Sequence, residues 1–174
     1  SRFPEPEAGQ NFQALNYNQA VYYHRIGTPQ EQDQLVFSTP DHPERGHSVS
    51  VTSDGNWAIV TSSLGTDARY EVHAIDLSAG DSQSWQAVPL VTGFENSWSL
   101  VDGVGDRLWF TTNRDAPMYR VVAVDMNGLT AAAPPQWQPV IAERDSVIEA
   151  AALLGEKLIV SYLEDAKSAA LAFD

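Results

Sequence analysis

The residue types that could carry out covalent catalysis do not form a known catalytic motif in this chain. The sequence has four histidines and no cysteine, which excludes thiolate nucleophiles, disulfides and cysteine-ligated zinc. Hydrolases that use a nucleophile elbow need Gly-x-Ser-x-Gly between a strand and a helix, and this pentapeptide is absent, as are the zinc motif His-Glu-x-x-His and the phosphate loop Gly-x4-Gly-Lys. We therefore predict no catalytic residue, no metal ligand and no cofactor in this chain.

The histidines are distributed in a way that does not favour an acid–base site. The local pattern places His24 and His73 inside strands, whereas His42 and His47 flank a polar loop. No helix is predicted that could present an acid and a base together.

The pair Asn113-Arg114 is the best candidate for binding chemistry. It lies where a predicted strand, Arg107 to Thr112, ends and a loop begins, a position that can face a cavity or a partner domain. The planar guanidinium of an arginine can donate paired hydrogen bonds to a peptide carbonyl or carboxylate. The alternative is that Arg114 only pairs with Asp115 or with a neighbouring structural unit.

The charge of the chain limits its partners. Ten basic and 23 acidic residues give a net charge of −13, which argues against nucleic acid and against an anionic membrane as partners. The sequence has no run of eighteen apolar residues, so no membrane-spanning helix is predicted. We expect a soluble protein, and the composition leaves the compartment open between cytoplasm and periplasm.

A repeat of about fifty residues sets the architecture that must position these side chains. Gly55, Gly105 and Gly155 occur at an identical spacing, and a short apolar strand follows each of them: Trp57–Thr61, Arg107–Thr111 and Lys157–Ser161. Several short strands per repeat at this period are typical of a β-propeller. Trp57, Trp109, Trp85 and Trp137 recur with the repeat, which indicates packing rather than a binding site.

We therefore predict an all-β chain that forms a partial β-propeller of four-stranded antiparallel blades. Residues 1–174 are interpreted as one fragment of a propeller domain, with blade-like units at about 19–38, 48–91, 97–141 and 147–174. The first and last units are partial. In the third strand of each unit both faces carry apolar residues, because a blade inside a propeller is covered on both sides. The segments Ser1 to Asn18 and Ala131 to Pro135 are predicted to be loops.

So few blades cannot close into a ring, since closed propellers contain about four to eight. The terminal blades would leave apolar faces bare, at a cost of several kcal/mol for a few hundred square ångströms at about 25 cal/mol per Å². We expect the natural chain to be longer.

Four phrases, in order along the chain, resemble the prolyl oligopeptidase family. Tyr22 to Asp33 is similar to the family pattern YYHxxGTxQxxD, and Val51 to Trp57 is similar to SxDGRY. Thr112 to Arg120 is similar to TNRxxPNYR, and Tyr162 to Ala166 to the start of YLxDxxxxL. The third phrase departs from the pattern, because Met118 replaces its asparagine.

The resemblance implies a two-domain peptidase. In this family a seven-bladed propeller covers an α/β-hydrolase domain with a Ser-His-Asp triad, which cleaves short peptides after proline. The hydrolase domain lies outside this chain, so its implied partners are that domain and short proline-containing peptides. The implied role of the segment is to gate substrate entry.

The resemblance also bears on the candidate site. It implies that Arg114, with Asn113 beside it, faces the central cavity near bound peptide, and that Trp98 lies near the region that makes apolar contacts with peptide. The alternative for Trp98 is a core aromatic residue between blades. We predict Arg114, Asn113 and Trp98 as substrate-binding residues.

A second functional hypothesis remains open at this point. A non-catalytic, kelch-like propeller would use loops at one face to hold protein partners. Downstream sequence distinguishes the two hypotheses, because the peptidase requires a Gly-x-Ser-x-Gly segment followed by Asp and His.

Overall fold

The computed structural model describes residues 1–5, 16–129 and 134–174. Within these ranges the chain forms thirteen strands in four antiparallel sheets, together with two single-turn 3₁₀ helices. The sheets follow one another along the chain and do not close into a ring. The predicted fold, an all-β partial propeller, is confirmed. Of the predicted loop segments, residues 6–15 and 130–133 lie outside the described ranges.

Sheet 1 is a two-stranded ribbon of β1 (Val21–Tyr23) and β2 (Gln34–Phe37). The predicted first strand, Gln19 to Ile26, is too long, and His24 lies beyond its end. β1 stops because its partner strand begins only at Gln34, after a 3₁₀ turn at Gln30–Gln32. A single antiparallel bridge joins Arg2, in the segment predicted to be a loop, to Ala20 just before β1.

Sheets 2 and 3 are complete four-stranded meanders in which each strand pairs with the next. Sheet 2 contains β3 (Arg45–Val51), β4 (Trp57–Leu64), β5 (Tyr70–Asp76) and β6 (Ala87–Val91). Sheet 3 contains β7 (Trp98–Val104), β8 (Arg107–Thr112), β9 (Arg120–Asp125) and β10 (Gln138–Ile141). The sequence predicts these eight strands to within three residues at each end. The largest difference is at β3, which begins at Arg45 rather than Ser48 and so places His47 inside a strand.

Sheet 4 contains three strands, β11 (Val147–Leu154), β12 (Lys157–Glu164) and β13 (Lys167–Phe173). The repeat of glycines is explained by the turns between the first two strands of sheets 2, 3 and 4. Gly55, Gly105 and Gly155 have φ values of +78°, +57° and +62°, a left-handed conformation that glycine adopts without steric cost.

Each pair of neighbouring sheets encloses its own apolar cluster. Val60 and Ile75 of sheet 2 face sheet 1, whereas Ile59 and Val72 face sheet 3. Sheets 3 and 4 meet around Val121 and a group of sheet 4 residues, namely Ile148, Leu158, Val160 and Tyr162. Sheet 2 is therefore apolar on both faces, as predicted, because side chains alternate along a strand. The recurring tryptophans all belong to these clusters or pack against them: Trp57, Trp85, Trp109 and Trp137.

The first strands of neighbouring sheets contact each other in two cases, β1 with β3 and β7 with β11, whereas β7 contacts β5 of sheet 2. Successive connections within a sheet alternate between its two ends. The β4–β5 and β8–β9 connections lie at the same end, since Asn96 and Ser97 bond to residues beside both of them. In the described ranges no helix is long and apolar enough to cross a lipid bilayer.

Candidate functional site

Arg114 lies in a compact turn directly after β8. Its backbone N–H donates to Thr112 Oγ1 at 3.1 Å, and the N–H of Ala116 donates to the carbonyl of Asn113 at 3.1 Å. Ala116 is buried, with 1% of its surface exposed, and it ties the turn to the protein. The backbone under Arg114 is thus held in place while 52% of its side chain is exposed.

Arg114 borders a groove of about 320 Å³ between sheets 2 and 3. The groove combines an apolar floor with polar walls. Its lining includes Leu90 and Val91 of β6, Thr92, Glu95 and Asn96 of the β6–β7 connection, Trp98 of β7, Arg114, and Pro134, Pro135 and Trp137 before β10. Such a surface suits an extended chain that offers both apolar side chains and backbone carbonyls.

The guanidinium of Arg114 has only a weak partner. Its Nε lies 3.8 Å from Asp115 Oδ2, and Arg120 Nη2 lies at the same distance from that oxygen. Asp115 is 81% exposed, and exposed pairs of this kind contribute about 0–1 kcal/mol. The alternative that Arg114 pairs with Asp115 is therefore correct in geometry, but the pair leaves most guanidinium donors available to a ligand.

Asn113 does not line the groove, but its side chain links two of the segments that form it. Its side-chain Oδ1 accepts a hydrogen bond from the backbone N–H of Ser97 at 2.8 Å. This bond joins the β8–β9 connection, which carries Arg114, to the β6–β7 connection, which carries Glu95 and Asn96. The structure thus places both residues at one site. Arg114 lines the groove, whereas Asn113 links two of its segments.

Trp98 is a core residue that also reaches the floor of the groove. Only 2% of its surface is exposed, and its ring lies 4.6 Å from that of Trp137 and 6.4 Å from that of Phe110. The alternative of a core aromatic residue between blades therefore describes most of its contacts. Its indole Nε1 is buried and has no hydrogen-bond acceptor among the described residues.

Sequence reasoning missed the residues of the β6–β7 connection that complete the groove. Glu95 and Asn96 belong to a segment between two repeats, where neither the glycine period nor a strand pattern marks them. Asn96 is fixed by tertiary contact, since its carbonyl accepts the N–H of Tyr70 at 3.0 Å. The one signal in the sequence was the position of this segment, which directly precedes the strand that begins at Trp98.

Two other polar clusters do not form catalytic sites. His47 Nδ1 lies 2.9 Å from Ser62 Oγ, and its Nε2 lies 3.1 Å from Thr39 Oγ1. Burial lowers the pKa of His47, and the nearby charge of Arg45 lowers it further. This pair resembles a base and a nucleophile in geometry only, because Ser62 is completely buried and no substrate can reach it.

The second cluster lies on sheet 1. Asp33 accepts a hydrogen bond from Arg2 at 3.2 Å and lies 2.6 Å from His24 Nδ1, without a neighbouring hydroxyl that could serve as a nucleophile among its described bonding partners. Nowhere in the described ranges do three histidine or acidic side chains converge to hold a metal ion.

Comparison with known proteins identifies the family of this chain. Residues 1–174 match the family described as prolyl oligopeptidase, N-terminal beta-propeller domain. The chain is 29% identical to a prolyl endopeptidase of Elizabethkingia miricola over 174 residues, which is all of this chain and 23% of that protein.

Solved structures give the same result. One structure from a structural and mechanistic analysis of two prolyl endopeptidases superposes with a TM-score of 0.85 at 43% identity, covering 93% of this chain and 23% of the other. Prolyl oligopeptidase B of Galerina marginata, bound to a 25-residue macrocyclization substrate, shares the fold with a TM-score of 0.85 at 20% identity, over 99% of this chain and 24% of that one.

The chain thus spans about a quarter of the length of the relatives that it matches. Three findings agree with one another: the four sequence phrases, the open series of antiparallel sheets and the family match over residues 1–174. The chain belongs to the family of prolyl oligopeptidase N-terminal β-propeller domains.

Proposed function

We propose that this segment gates and positions peptide substrates for a serine peptidase that cleaves short peptides after proline. The groove at Arg114 carries the proposal, because it combines an exposed, weakly paired guanidinium with an apolar floor of Trp98 and Trp137. The guanidinium binds a peptide carbonyl or carboxylate, and the partly exposed indole of Trp137, which packs on the buried ring of Trp98, receives an apolar side chain. Asn113 holds the two connections on either side of the groove together.

The chemistry itself is assigned to a hydrolase domain outside this chain. There a serine attacks the peptide carbonyl, a histidine acts as the general base and an aspartate orients the histidine. That domain and short proline-containing peptides are the proposed partners. The peptidase relatives favour this function over that of a kelch-like interaction module, which no observation on the described residues supports.

Substitution of Arg114 in the full-length protein tests the proposed site. Arg114→Ala removes the guanidinium, and we expect KM for a proline-containing peptide to rise about tenfold with kcat nearly unchanged, because a charged hydrogen bond contributes about 1.5–3 kcal/mol before screening. Arg69→Ala is the matched control. Arg69 is an exposed arginine in the corresponding connection of sheet 2, it pairs with Asp67, and it does not line the groove. Equal KM values for the two variants would contradict the assignment of Arg114.

The gating role needs its own measurement. We expect the full-length protein to cleave a proline-containing peptide of about ten residues. The same sequence should resist cleavage when it is displayed on a loop of a folded protein that is too large to pass between the blades. Equal rates on the two substrates would refute gating without affecting the assignment of Arg114.

A further inference from the structure

A buried ion pair in sheet 2 anchors the loop that forms one wall of the groove. Arg45 begins β3 and Glu71 lies near the start of β5. Arg45 Nη1 donates to Glu71 Oε2 at 2.8 Å, and the two side chains are 16% and 10% exposed. The other carboxylate oxygen, Oε1, accepts the backbone N–H of Gly93 at 2.9 Å. One carboxylate therefore joins two strands of sheet 2 to the β6–β7 connection.

The connection that Glu71 holds has an unusual backbone. Gly93 has a φ of +96° and Phe94 a φ of +49°, so two successive residues are left-handed. A phenylalanine adopts this conformation rarely, and it persists only where the surrounding structure imposes it. The contacts that impose it are the Gly93–Glu71 bond and the guanidinium of Arg45, which lies 4.9 Å from the centre of the Phe94 ring.

This connection leads directly into the groove. Glu95 and Asn96 follow Phe94 and line the groove together with Arg114. At its far end the connection is tied by Asn96, which accepts the N–H of Tyr70, and by Ser97, which donates to Asn113. Release of the near end would let Glu95 move relative to Arg114, while the far end stayed attached.

We propose that Glu71 is a positioning residue for peptide binding. Through Gly93 and Arg45 it holds the β6–β7 connection in the conformation that places Glu95 and Asn96 beside Arg114. The inference rests on the proposed function of that groove. A buried ion pair is weak evidence for stability, because well-packed apolar residues can often replace it at no cost. Here the second partner of the carboxylate is the N–H of Gly93, which lies in a loop outside the sheet ladder and assigns the pair a role in loop geometry.

Kinetics of the full-length protein separate positioning from stability. We expect Glu71→Ala to raise KM for a proline-containing peptide about fivefold with kcat within about twofold. Glu71→Gln keeps an oxygen that can accept from Gly93, but its amide NH2 group is a donor and cannot accept from Arg45, so its KM should rise about two- to threefold, less than that of Glu71→Ala. If Glu71→Ala does not fold, the KM of Glu71→Gln tests the inference in its place.

Asp102→Ala is the matched control. It removes a carboxylate that accepts bonds from Ser53 and Gly103 at the opposite end of the sheets, so it should lower thermal stability without changing KM. A comparable rise in KM for Asp102→Ala would show a general effect of destabilisation and would overturn the inference.

Amide hydrogen exchange measures local opening of the β6–β7 connection independently of activity. The Gly93 amide should exchange at least about tenfold faster in Glu71→Ala than in the parent or in Asp102→Ala, because it loses its acceptor and the near end of the connection can open. The Ser97 amide should keep its exchange rate, because its bond to Asn113 remains. Unchanged exchange of the Gly93 amide in Glu71→Ala overturns the inference whatever Arg114 does.

A double variant distinguishes failure of this inference from failure of the proposed function. If Glu71 acts through the groove, Glu71→Ala/Arg114→Ala should have a KM within about twofold of that of Arg114→Ala, since coupled positions are not additive. A rise in KM for Arg114→Ala without one for Glu71→Ala overturns the positioning role alone. No rise in either variant refutes the proposed function, and the inference falls with it.

Discussion

Asp102 of sheet 3 accepts two hydrogen bonds from Ser53 of sheet 2, one from its backbone N–H at 2.8 Å and one from its hydroxyl at 2.5 Å. Beside this contact Trp57 Nε1 donates to the carbonyl of Gly105 at 2.8 Å, and the N–H of Gly105 donates to Asp54. The two sheets are thus joined by polar contacts at the end opposite the groove. Their apolar cluster supplies the attraction, and these bonds fix the register.

Removal of this contact should lower stability. We expect Asp102→Ala to reduce the free energy of unfolding by about 1–2 kcal/mol, because Ser53 loses its acceptor and the site is partly exposed. Thermal unfolding of the full-length protein measures the change. Asp106→Ala, in the adjacent turn, is the control, since only the backbone carbonyl of Asp106 takes part in a described hydrogen bond. Equal shifts for the two variants would contradict the role of Asp102.

Gly103 lies tightly packed between its own sheet and Thr52 beside sheet 2. A Cβ atom at this position would lie 2.5 Å from Leu108 Cδ2 and 2.6 Å from Thr52 Cγ2. Gly103→Ala should therefore lower the free energy of unfolding by about 1–3 kcal/mol through overpacking. Gly46→Ala is the control, because a Cβ there would lie 3.3 Å from Gln19 Oε1 and 3.4 Å from Ser63 Oγ, with no atom closer. Chemical denaturation that gives the same midpoint for both variants would be inconsistent with this packing.

The contact between sheets 1 and 2 should weaken in acid. The Phe37 ring packs against the rings of His47 and His73, with centroids 5.1 and 4.9 Å apart. Burial lowers the pKa of both histidines, and Arg45 adds to this effect, whereas Glu71 opposes it at His73. The folded state therefore favours neutral imidazoles, and the unfolded chain binds more protons.

The sign of the pH dependence follows from these pKa values. The stabilisation is present above about pH 6.5 and is lost as the pH falls toward the lower folded-state pKa, with a slope of at most about 1.4 kcal/mol per pH unit for each histidine. His47→Gln should flatten the dependence of unfolding free energy on pH below about 6.5. An unchanged pH profile for His47→Gln would refute the prediction.

Trp98 should affect stability more than any residue of the groove wall. Trp98→Ala removes a ring that is 2% exposed and packs at a tilt against Trp137, and such a truncation costs about 3–5 kcal/mol. Ile26→Ala, at a side chain that is 96% exposed, should change stability by less than about 0.5 kcal/mol. Calorimetry of both variants tests the difference. A loss below about 1 kcal/mol for Trp98→Ala would contradict its place in the core.

The local sequence determined which segments became strands and where the chain turned. The eight strands of sheets 2 and 3 were predicted to within three residues, because β-branched and aromatic runs favour an extended backbone and each turn carries its own marker, such as Asp54-Gly55. The Asp that ends the third strand of sheets 2 and 3 also makes a local contact. Asp76 Oδ1 accepts the N–H of Ser78, and Asp125 Oδ1 accepts that of Asn127. These are contacts between residues two positions apart, so sequence reasoning could reach them.

Only the tertiary structure decided which distant residues share a site. The segment around Arg114 was recognisable from its phrase, but its neighbours Glu95 and Trp137 come from other segments. The bond between Glu71 and Gly93 spans 22 positions, and the buried environment of His47 depends on Thr39 and Ser62. Such contacts follow from the order and spacing of the sheets, because side-chain reach is only a few ångströms and no local preference records which strand will lie beside which loop.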